Sequence, residues 1–148
     1  MILSDYKDFP RLGRIISLDW GLRRCGVAVS DESRDFVFVR PQICIKSQDE
    51  LIQKVLGIIG EDKISGIVIG LPLRSDGTES ETTKMVREFA DSLARNTDLP
   101  IVFVEENLTS SAAAEEIGPK SIAKIKQELD SVSAKIILEN AIAMLRRI

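Results

Sequence analysis

The 148-residue sequence contains no histidine. Catalysis by serine–histidine or cysteine–histidine pairs is therefore excluded, and so is zinc bound by histidine. Only two cysteines are present, Cys25 and Cys44, and no CxxC pair occurs, so a disulfide framework is also excluded. We expect both cysteines to act as small hydrophobic residues of the core, kept reduced in a cytoplasmic protein.

Long apolar segments are also missing. No stretch approaches the roughly 18 uncharged apolar residues of a membrane span, and the first residues lack the apolar region of a secretory signal. These absences predict a cytoplasmic location. The net charge is −3, so the chain is not a polycation. Binding of nucleic acid would need a local basic patch or bridging metal ions.

What is present is the composition of one globular domain. The chain is 44% hydrophobic and 29% charged, and its length suits one domain with a real core. We expect a polar N-terminal lead over residues 1–13 and a single domain over residues 14–148. No repeat or linker divides this domain.

The spacing of apolar residues predicts a small α/β fold. Three strands come first, and the first two are joined by a turn short enough for an antiparallel hairpin. The third strand contains Pro41, which suits an edge or a bulge. Helices and strands then alternate, so we predict a mixed five-stranded sheet with an antiparallel hairpin side and helices on both faces. The predicted strands cover residues 14–19, 25–30, part of 36–45, 67–71 and 101–104, and the predicted helices cover 47–60, 78–95, 110–117 and 131–146.

Acidic residues fall at places where an ionised side chain is costly to bury. Asp19 ends the first strand, and the pair Glu105 and Glu106 ends the last strand. Strand alternation lets only one of that pair face a given side. Asp130 lies on the apolar stripe of the last helix, at its predicted N-terminal end. Each acid also has an ordinary interpretation: turn formation for Asp19, a solvated strand end for the glutamates, and helix N-capping for Asp130.

Considered together, these acids favour a metal site. Ligands bind beyond the carboxyl ends of parallel strands in open α/β sheets, where Asp19 and Glu106 both fall. Converging carboxylates raise each other's pKa unless a cation lies between them. Oxygen ligands without histidine or thiolate select Mg²⁺ or Mn²⁺. Such sites can hold two ions, which suits hydrolysis of a phosphodiester.

Four sequence blocks resemble the YqgF-type proteins, a family related to Holliday junction resolvases whose members are named as nucleases of precursor 16S rRNA. The first block alone is weak, because an Asp-x-Gly hairpin also opens sugar-kinase-like and actin-like ATPases. All four blocks in register, covering nearly the whole chain, are highly specific. The blocks are LDWGLRRCGVAVSD at 18–31, GLPLRSDGTES at 70–80, EENLTS at 105–110 and LDSVSAKIILEN at 129–140.

The resemblance implies an RNase H-like fold and an acidic site. Matched by position, Asp19, Glu106 and Asp130 would be the catalytic and metal-binding residues, and the match selects Glu106 over Glu105. Arg24 would contact phosphate or brace the site, with a surface hairpin arginine as the alternative.

Further positions follow from the same match. Gly21 and Thr109 would take part in substrate binding, although Thr109 is also suited to capping the next helix. The loop at 70–77 would lie beside the acids. Its alternative role is only conformational, with Gly77 supplying unusual backbone angles.

The sequence departs from the family pattern at two places. Asn107 stands where the family has an arginine, so a guanidinium suited to binding phosphate is missing. Glu128 lies near Asp130 where relatives often have a basic residue. The remaining basic residues either form a rim around the acids or are scattered, solvated charges. The rim would comprise Arg23, Arg24, Arg74, Lys120, Lys124 and Lys126.

The predicted function is that of an endonuclease using Mg²⁺ or Mn²⁺. The resemblance points to the 5′ region of precursor 16S rRNA as substrate, with branched DNA second, and to the ribosomal small subunit as a partner. Either a monomer or a homodimer fits. A non-catalytic nucleic-acid-binding or ribosome-assembly factor is the main rival. A nucleotide-binding ATPase is a weaker one, since it needs a second comparable domain that 148 residues do not supply.

Overall fold

A computed structural model describes residues 1–106 and 122–148, with the side chains of residues 122–131 left out of the description. Five strands form one sheet in the order β3-β2-β1-β4-β5. The β1–β2 and β2–β3 pairs are antiparallel, and the β1–β4 and β4–β5 pairs are parallel. The predicted mixed sheet with an antiparallel hairpin side is therefore confirmed. The strands are β1 (Arg14–Trp20), β2 (Arg24–Ser30), β3 (Val37–Cys44), β4 (Ile64–Leu71) and β5 (Ile101–Glu105).

The β1–β2 hairpin closes through a three-residue turn that begins at Gly21. The Gly21 N–H donates a hydrogen bond of 2.9 Å to the Arg24 carbonyl oxygen. A Cβ at position 21 would lie 3.0 Å from that same oxygen. Glycine therefore lets the backbone close this turn tightly.

The third strand lies at the edge of the sheet, as Pro41 predicts. Proline has no N–H to donate to a neighbouring strand. The register between β2 and β3 also shifts between Cys25 and Val27, opposite the part of β3 that contains Pro41. Pro41 therefore combines the two predicted settings, an edge strand and a bulge.

Among the described residues, three helices cover the two faces of the sheet: α1 (Gln48–Glu61), α2 (Glu81–Ala94) and α3 (Ile122–Arg146). Ser47 and Ser80 cap the first two helices by accepting hydrogen bonds from backbone N–H groups. Helices α1 and α2 pack on one face and α3 packs on the other, giving two apolar clusters. Helices on both faces were predicted, and this is confirmed.

Several element boundaries differ from the prediction. Strand β4 begins at Ile64 and α2 begins at Glu81. Helix α3 begins at Ile122, nine residues before the predicted start, because Ile122, Ile125 and Leu129 continue its apolar spacing. Asp130 is therefore inside the helix, and its interpretation as an N-cap is wrong. The helix predicted over 110–117 lies outside the described residues.

Two apolar assignments are corrected by the structure. Cys25 is buried as expected, but Cys44 is exposed because it lies near the end of the edge strand. The helical spacing of apolar residues over 78–95 predicts that Met85 joins the apolar stripe of the second helix, yet Met85 is 38% exposed. Helix α2 instead buries Val86, Phe89, Ala90 and Leu93.

The N-terminal lead packs against the sheet. Residue Ile2 forms a parallel bridge with Ile101, and the Leu3 N–H donates to the Ile101 carbonyl at 2.7 Å. Phe9 is buried and occupies the space above Gly66, where a Cβ would lie 2.4 Å from the Phe9 ring. In the part of the chain that the structure describes, no helix has the length and apolar character needed to cross a membrane.

Candidate active site

Asp19 lies at the end of β1 on the sheet face that α3 covers. Alternation along the strand directs Ile15, Ser17 and Asp19 toward this face. Ser17 is fully buried, and its hydroxyl donates a hydrogen bond of 2.6 Å to the Ala134 carbonyl of α3. This bond fixes α3 against β1 two residues before the acid.

Glu106 follows β5 directly and reaches the same place from the other side of β4. Its N–H donates to the Leu71 carbonyl at 3.2 Å, which continues the pairing of β5 with β4. Its side chain, when protonated, donates a hydrogen bond to the Asp19 carboxylate. Glu105 faces the opposite side and is exposed. The structure thus brings Glu106, and not Glu105, to Asp19.

Gly70 provides the space in which these two carboxyl groups meet. It lies on β4 between β1 and β5, in registers that pair Leu18 with Ile69 and Gly70 with Val104. A Cβ at position 70 would lie 3.0 Å from Oε2 of Glu106 and 2.5 Å from Cδ1 of Ile137. Any larger residue would therefore require the Glu106 carboxyl group or the Ile137 side chain to shift.

The environment of Glu106 strongly favours its neutral form. Burial, followed by the negative charge of Asp19 and the hydrogen bond to Asp19, raises the pKa of Glu106 to about 8. Its Oε2 atom is buried and has no hydrogen-bond partner among the described residues. A buried carboxylate oxygen without a partner is costly, and a cation would satisfy it.

The chemistry of this pair suits a hard divalent cation, since both groups offer carboxylate oxygens. Within the described side chains, no group of three or more acids or cysteines has the arrangement of a metal site. The third predicted acid, Asp130, lies in α3 one helical turn before Ala134, and its side chain is outside the described residues.

The predicted substrate-binding residues fall into two groups. Arg24 begins β2, and the register that pairs Asp19 with Gly26 puts Arg24 on the same face as Asp19, one pleat away. Gly21 forms the turn between them. Thr109 lies outside the described residues, as does Asn107. Arg24 thus shares a sheet face with Asp19.

The loop after β4 is folded by its own hydrogen bonds. Asp76 accepts from the Thr78 N–H at 3.0 Å and from the Thr78 hydroxyl at 2.7 Å, and these bonds lower the pKa of Asp76. Gly77 has a φ of 85°, as expected for a glycine that supplies unusual backbone angles. In the structure Asp76 is therefore an acid that holds a turn.

Two residues at this site were missed by sequence reasoning. Gly70 lies in the predicted strand 67–71 and at the start of the segment expected beside the acids, but its role in leaving space for Glu106 is not evident from the sequence. Ser17 was treated as part of an apolar strand. The sequence does contain a signal for its role, because a lone serine two residues before Asp19 must face the same side of the sheet as Asp19.

The fold and this carboxyl pair define a class: RNase H-like α/β nucleases with an acidic site at the strand ends. The family model described as RuvX, Holliday junction resolvase, matches residues 13–144. The chain belongs to that family.

Individual relatives agree with this assignment. A protein of Maridesulfovibrio salexigens, provisionally named as a pre-16S rRNA nuclease, is 42% identical over 132 residues, covering 88% of this chain and 98% of the relative. A protein of Rickettsia canadensis with the same name is 33% identical and covers 99% of both chains.

Solved structures confirm the RNase H-like fold. RuvC of Thermus thermophilus, solved with a Holliday junction substrate, aligns with a TM-score of 0.57 at 9% identity, covering 91% of this chain and 96% of that one. The yeast mitochondrial Holliday junction resolvase aligns with a TM-score of 0.53 at 12% identity, covering 94% and 82%.

Proposed function

We propose that this chain is a metal-dependent endonuclease that hydrolyses phosphodiester bonds at the 5′ end of precursor 16S rRNA. One observation carries the proposal: Glu106 is partly buried, its Oε2 atom is buried without a partner among the described residues, and its carboxyl group is hydrogen-bonded to Asp19. The names of the relatives at 42% and 33% identity support the choice of substrate. We further propose that the protein works in the cytoplasm, near the ribosomal small subunit.

In this proposal Asp19, Glu106 and Asp130 hold Mg²⁺ or Mn²⁺. The ion, when bound, supplies Lewis-acid activation of water and of the phosphate. Glu106 must be ionised to ligate it, so the proton shared with Asp19 is released on binding. Asp130 is included because its helix position precedes Ala134, whose carbonyl is bonded to Ser17 of β1.

Two hairpin residues and one residue after β5 take the remaining roles. Arg24 contacts the phosphodiester backbone, since it shares a sheet face with Asp19. Gly21 gives the substrate close access to the turn, and Thr109 contributes a hydroxyl contact. The family arginine is replaced by Asn107, so we expect slower cleavage than in relatives that keep the guanidinium.

A second candidate substrate is branched DNA, which the description of the matching family favours. A labelled precursor 16S rRNA fragment and a labelled four-way DNA junction should be incubated in parallel with Mg²⁺, Mn²⁺ or EDTA. We expect metal-dependent cutting of the RNA and slower or no cutting of the junction. Preferential cutting of the junction would reverse the choice of substrate.

The same assay needs matched variants. Asp19→Asn and Glu106→Gln should abolish cutting, while Glu105→Gln, which alters the neighbouring exposed acid, should retain it. Binding of either polymer without cutting, equally strong in all four proteins, would overturn the nuclease proposal. It would instead favour a non-catalytic factor that binds nucleic acid.

A further inference from the structure

A polar cavity lies at the end of the sheet opposite to the acidic pair. It has a volume of about 270 Å³ and lies where β1 begins and α3 ends. Its walls combine three arginines, Arg11, Arg34 and Arg146, with apolar side chains of Phe9, Ile142 and Leu145. None of the described residues that line it is an aspartate or a glutamate. The lining side chains therefore carry positive charge only, and the main-chain carboxyl group of Ile148, the last residue of the sequence, adds a negative charge.

Arg34 is the central residue of this cavity. Its side chain is almost completely buried, with 7% of the residue exposed. The Nε–H donates 2.9 Å to the Gly13 carbonyl, and the guanidinium carbon lies 5.8 Å from the centre of the Phe9 ring. The Nη2 atom is buried and has no hydrogen-bond partner among the described residues.

Such a group is costly without an anion. Burial lowers the pKa of Arg34, with no opposing contribution from a nearby carboxylate. A guanidinium nevertheless stays protonated at ordinary pH, so it cannot remove its charge by titration. Arginines this deeply buried are normally paired with an acid or an anionic ligand.

The surrounding loop holds Arg34 in place before any ligand arrives. Asp31 accepts hydrogen bonds from the Phe36 N–H at 2.9 Å and from the Ser33 hydroxyl at 2.7 Å. Arg34 itself has a φ of 62°, a conformation that non-glycine residues rarely adopt. The loop thus retains a strained backbone that aims a cation at the core.

Arg146 is fixed beside Arg34 by the same loop. Its Nη2 donates to the Arg34 carbonyl at 2.9 Å and to Asp35 Oδ1 at 3.1 Å. Asp35 is the acid that partly balances Arg146, and it lies outside the lining of the cavity. Asp35 is therefore paired with Arg146, while the Arg34 guanidinium has no carboxylate partner among the described residues.

We propose that this cavity binds the phosphate group of a small ligand, up to the size of a nucleoside monophosphate. Several guanidiniums around one small space suit a phosphate, whose oxygens accept hydrogen bonds from the N–H groups that the protein leaves unused. Phe9 and Ile142 provide apolar surface for the rest of the ligand. The phosphate comes either from a free nucleotide or from the 5′ end of an RNA strand.

The test is isothermal titration calorimetry of the full chain at low salt. The probes are inorganic phosphate, adenosine monophosphate, and a tetranucleotide RNA in two forms, with and without a 5′-phosphate. We expect a 1:1 complex that Arg34→Gln and Arg11→Gln each weaken by roughly tenfold or more. Arg40→Gln is the matched control, because Arg40 lies away from the cavity on β3 and pairs with Asp62.

The outcomes separate the sources and decide the proposal. Equal binding of adenosine monophosphate and 5′-phosphorylated RNA indicates a free-nucleotide site, and binding of the phosphorylated RNA alone indicates a strand-end site. Absence of binding to every probe, or equal weakening by Arg40→Gln, would overturn the proposal. Arg11→Gln keeps the test decisive if Arg34→Gln fails to fold.

This inference does not depend on the proposed nuclease function. Asp19→Asn should bind adenosine monophosphate as tightly as the unchanged chain does, because Asp19 and Arg34 lie roughly 20 Å apart along β1. Failure of cleavage with intact phosphate binding, or the reverse, would therefore assign the error to one site.

Discussion

An ionisable side chain lies near each end of β1, a carboxyl group at one end and a guanidinium at the other. At the C-terminal end, Glu106 is partly buried against Asp19, and its burial together with the charge of Asp19 raises its pKa to about 8. At the N-terminal end, Arg34 is buried against Phe9 and the Gly13 carbonyl, and burial lowers its pKa. In both cases one polar atom has no hydrogen-bond partner among the described residues.

The comparison shows that the tolerance of a buried ionisable group depends on whether the group can become neutral by gaining or losing a proton. A carboxyl group can become neutral by keeping its proton, so the acidic end avoids a buried charge in this way and its stability depends on pH. A guanidinium cannot lose its proton in this way, so the arginine end requires an anion or remains costly. Both ends are held by α3, through Ser17 and Ala134 at one end and Arg146 and Arg34 at the other.

The largest expected effect is a loss of cleavage when either acid of the Asp19–Glu106 pair is replaced. Glu106→Gln and Asp19→Asn should each lower the cleavage rate by about 100-fold or more, because each variant removes a carboxylate that we propose holds the metal ion. The measurement is single-turnover cleavage of a labelled RNA fragment. Glu105→Gln serves as the control, and an equal loss in that variant would mean that the two faces of β5 had been assigned wrongly.

The next prediction tests whether the Asp19–Glu106 pair needs the space left by the missing side chain of Gly70. Gly70→Ala introduces a Cβ that must displace Glu106 or Ile137, so we expect a loss of about 1–3 kcal/mol in the free energy of unfolding and a clear loss of cleavage. Urea denaturation measures the first quantity. The control is Gly57→Ala in α1, where nothing lies within 4 Å of the added Cβ. Alanine should stabilise that helix by about 0.5–1 kcal/mol.

A third prediction concerns pH in buffer with EDTA. The pKa of Glu106 is raised from 4.5 to about 8, so the folded chain holds a proton that the unfolded chain has already released in this window. The free energy of unfolding should therefore fall as pH rises from about 4.5 to about 8. Glu106→Gln should flatten this slope, whereas Arg34→Gln should leave it unchanged.

Added divalent metal sharpens the same experiment. At pH 8, Mg²⁺ or Mn²⁺ should raise the melting temperature of the unchanged chain, since an ion bound to the folded state stabilises it. Neither ion should stabilise Glu106→Gln to the same extent. A pH profile with no slope between 4.5 and 8 would contradict the proposed burial of a protonated carboxyl group.

The smallest effect concerns the loop beside the site. Asp76→Ala removes the hydrogen bonds to Thr78, so the chain should lose less stability than in Gly70→Ala and should cleave at an unchanged rate. Thermal melting and the cleavage assay measure the two quantities. A large loss of cleavage with normal melting would move Asp76 from a turn residue to a functional one.

Much of the fold could be predicted from periodicity and turn chemistry. Asp-Trp-Gly between two apolar runs predicts the hairpin, and Pro41 predicts an edge strand, because these signals act locally. The start of α3 was predicted nine residues late, since Lys124 and Lys126 interrupt an apolar spacing that the helix nevertheless continues. Cys44 was misassigned because composition does not say how much cover an edge strand receives.

By itself, the sequence determined the strand ends at which acids occur and the alternation that admits only one of Glu105 and Glu106. It also determined the family, because four motifs in order leave little freedom. Only the tertiary structure decided that Gly70 supplies the space for the carboxyl pair, and that Arg34 meets Phe9 and Arg146 far from it in sequence. The physical reason is that space, burial and partnership are properties of packed surfaces, which arise from segments that the sequence holds apart.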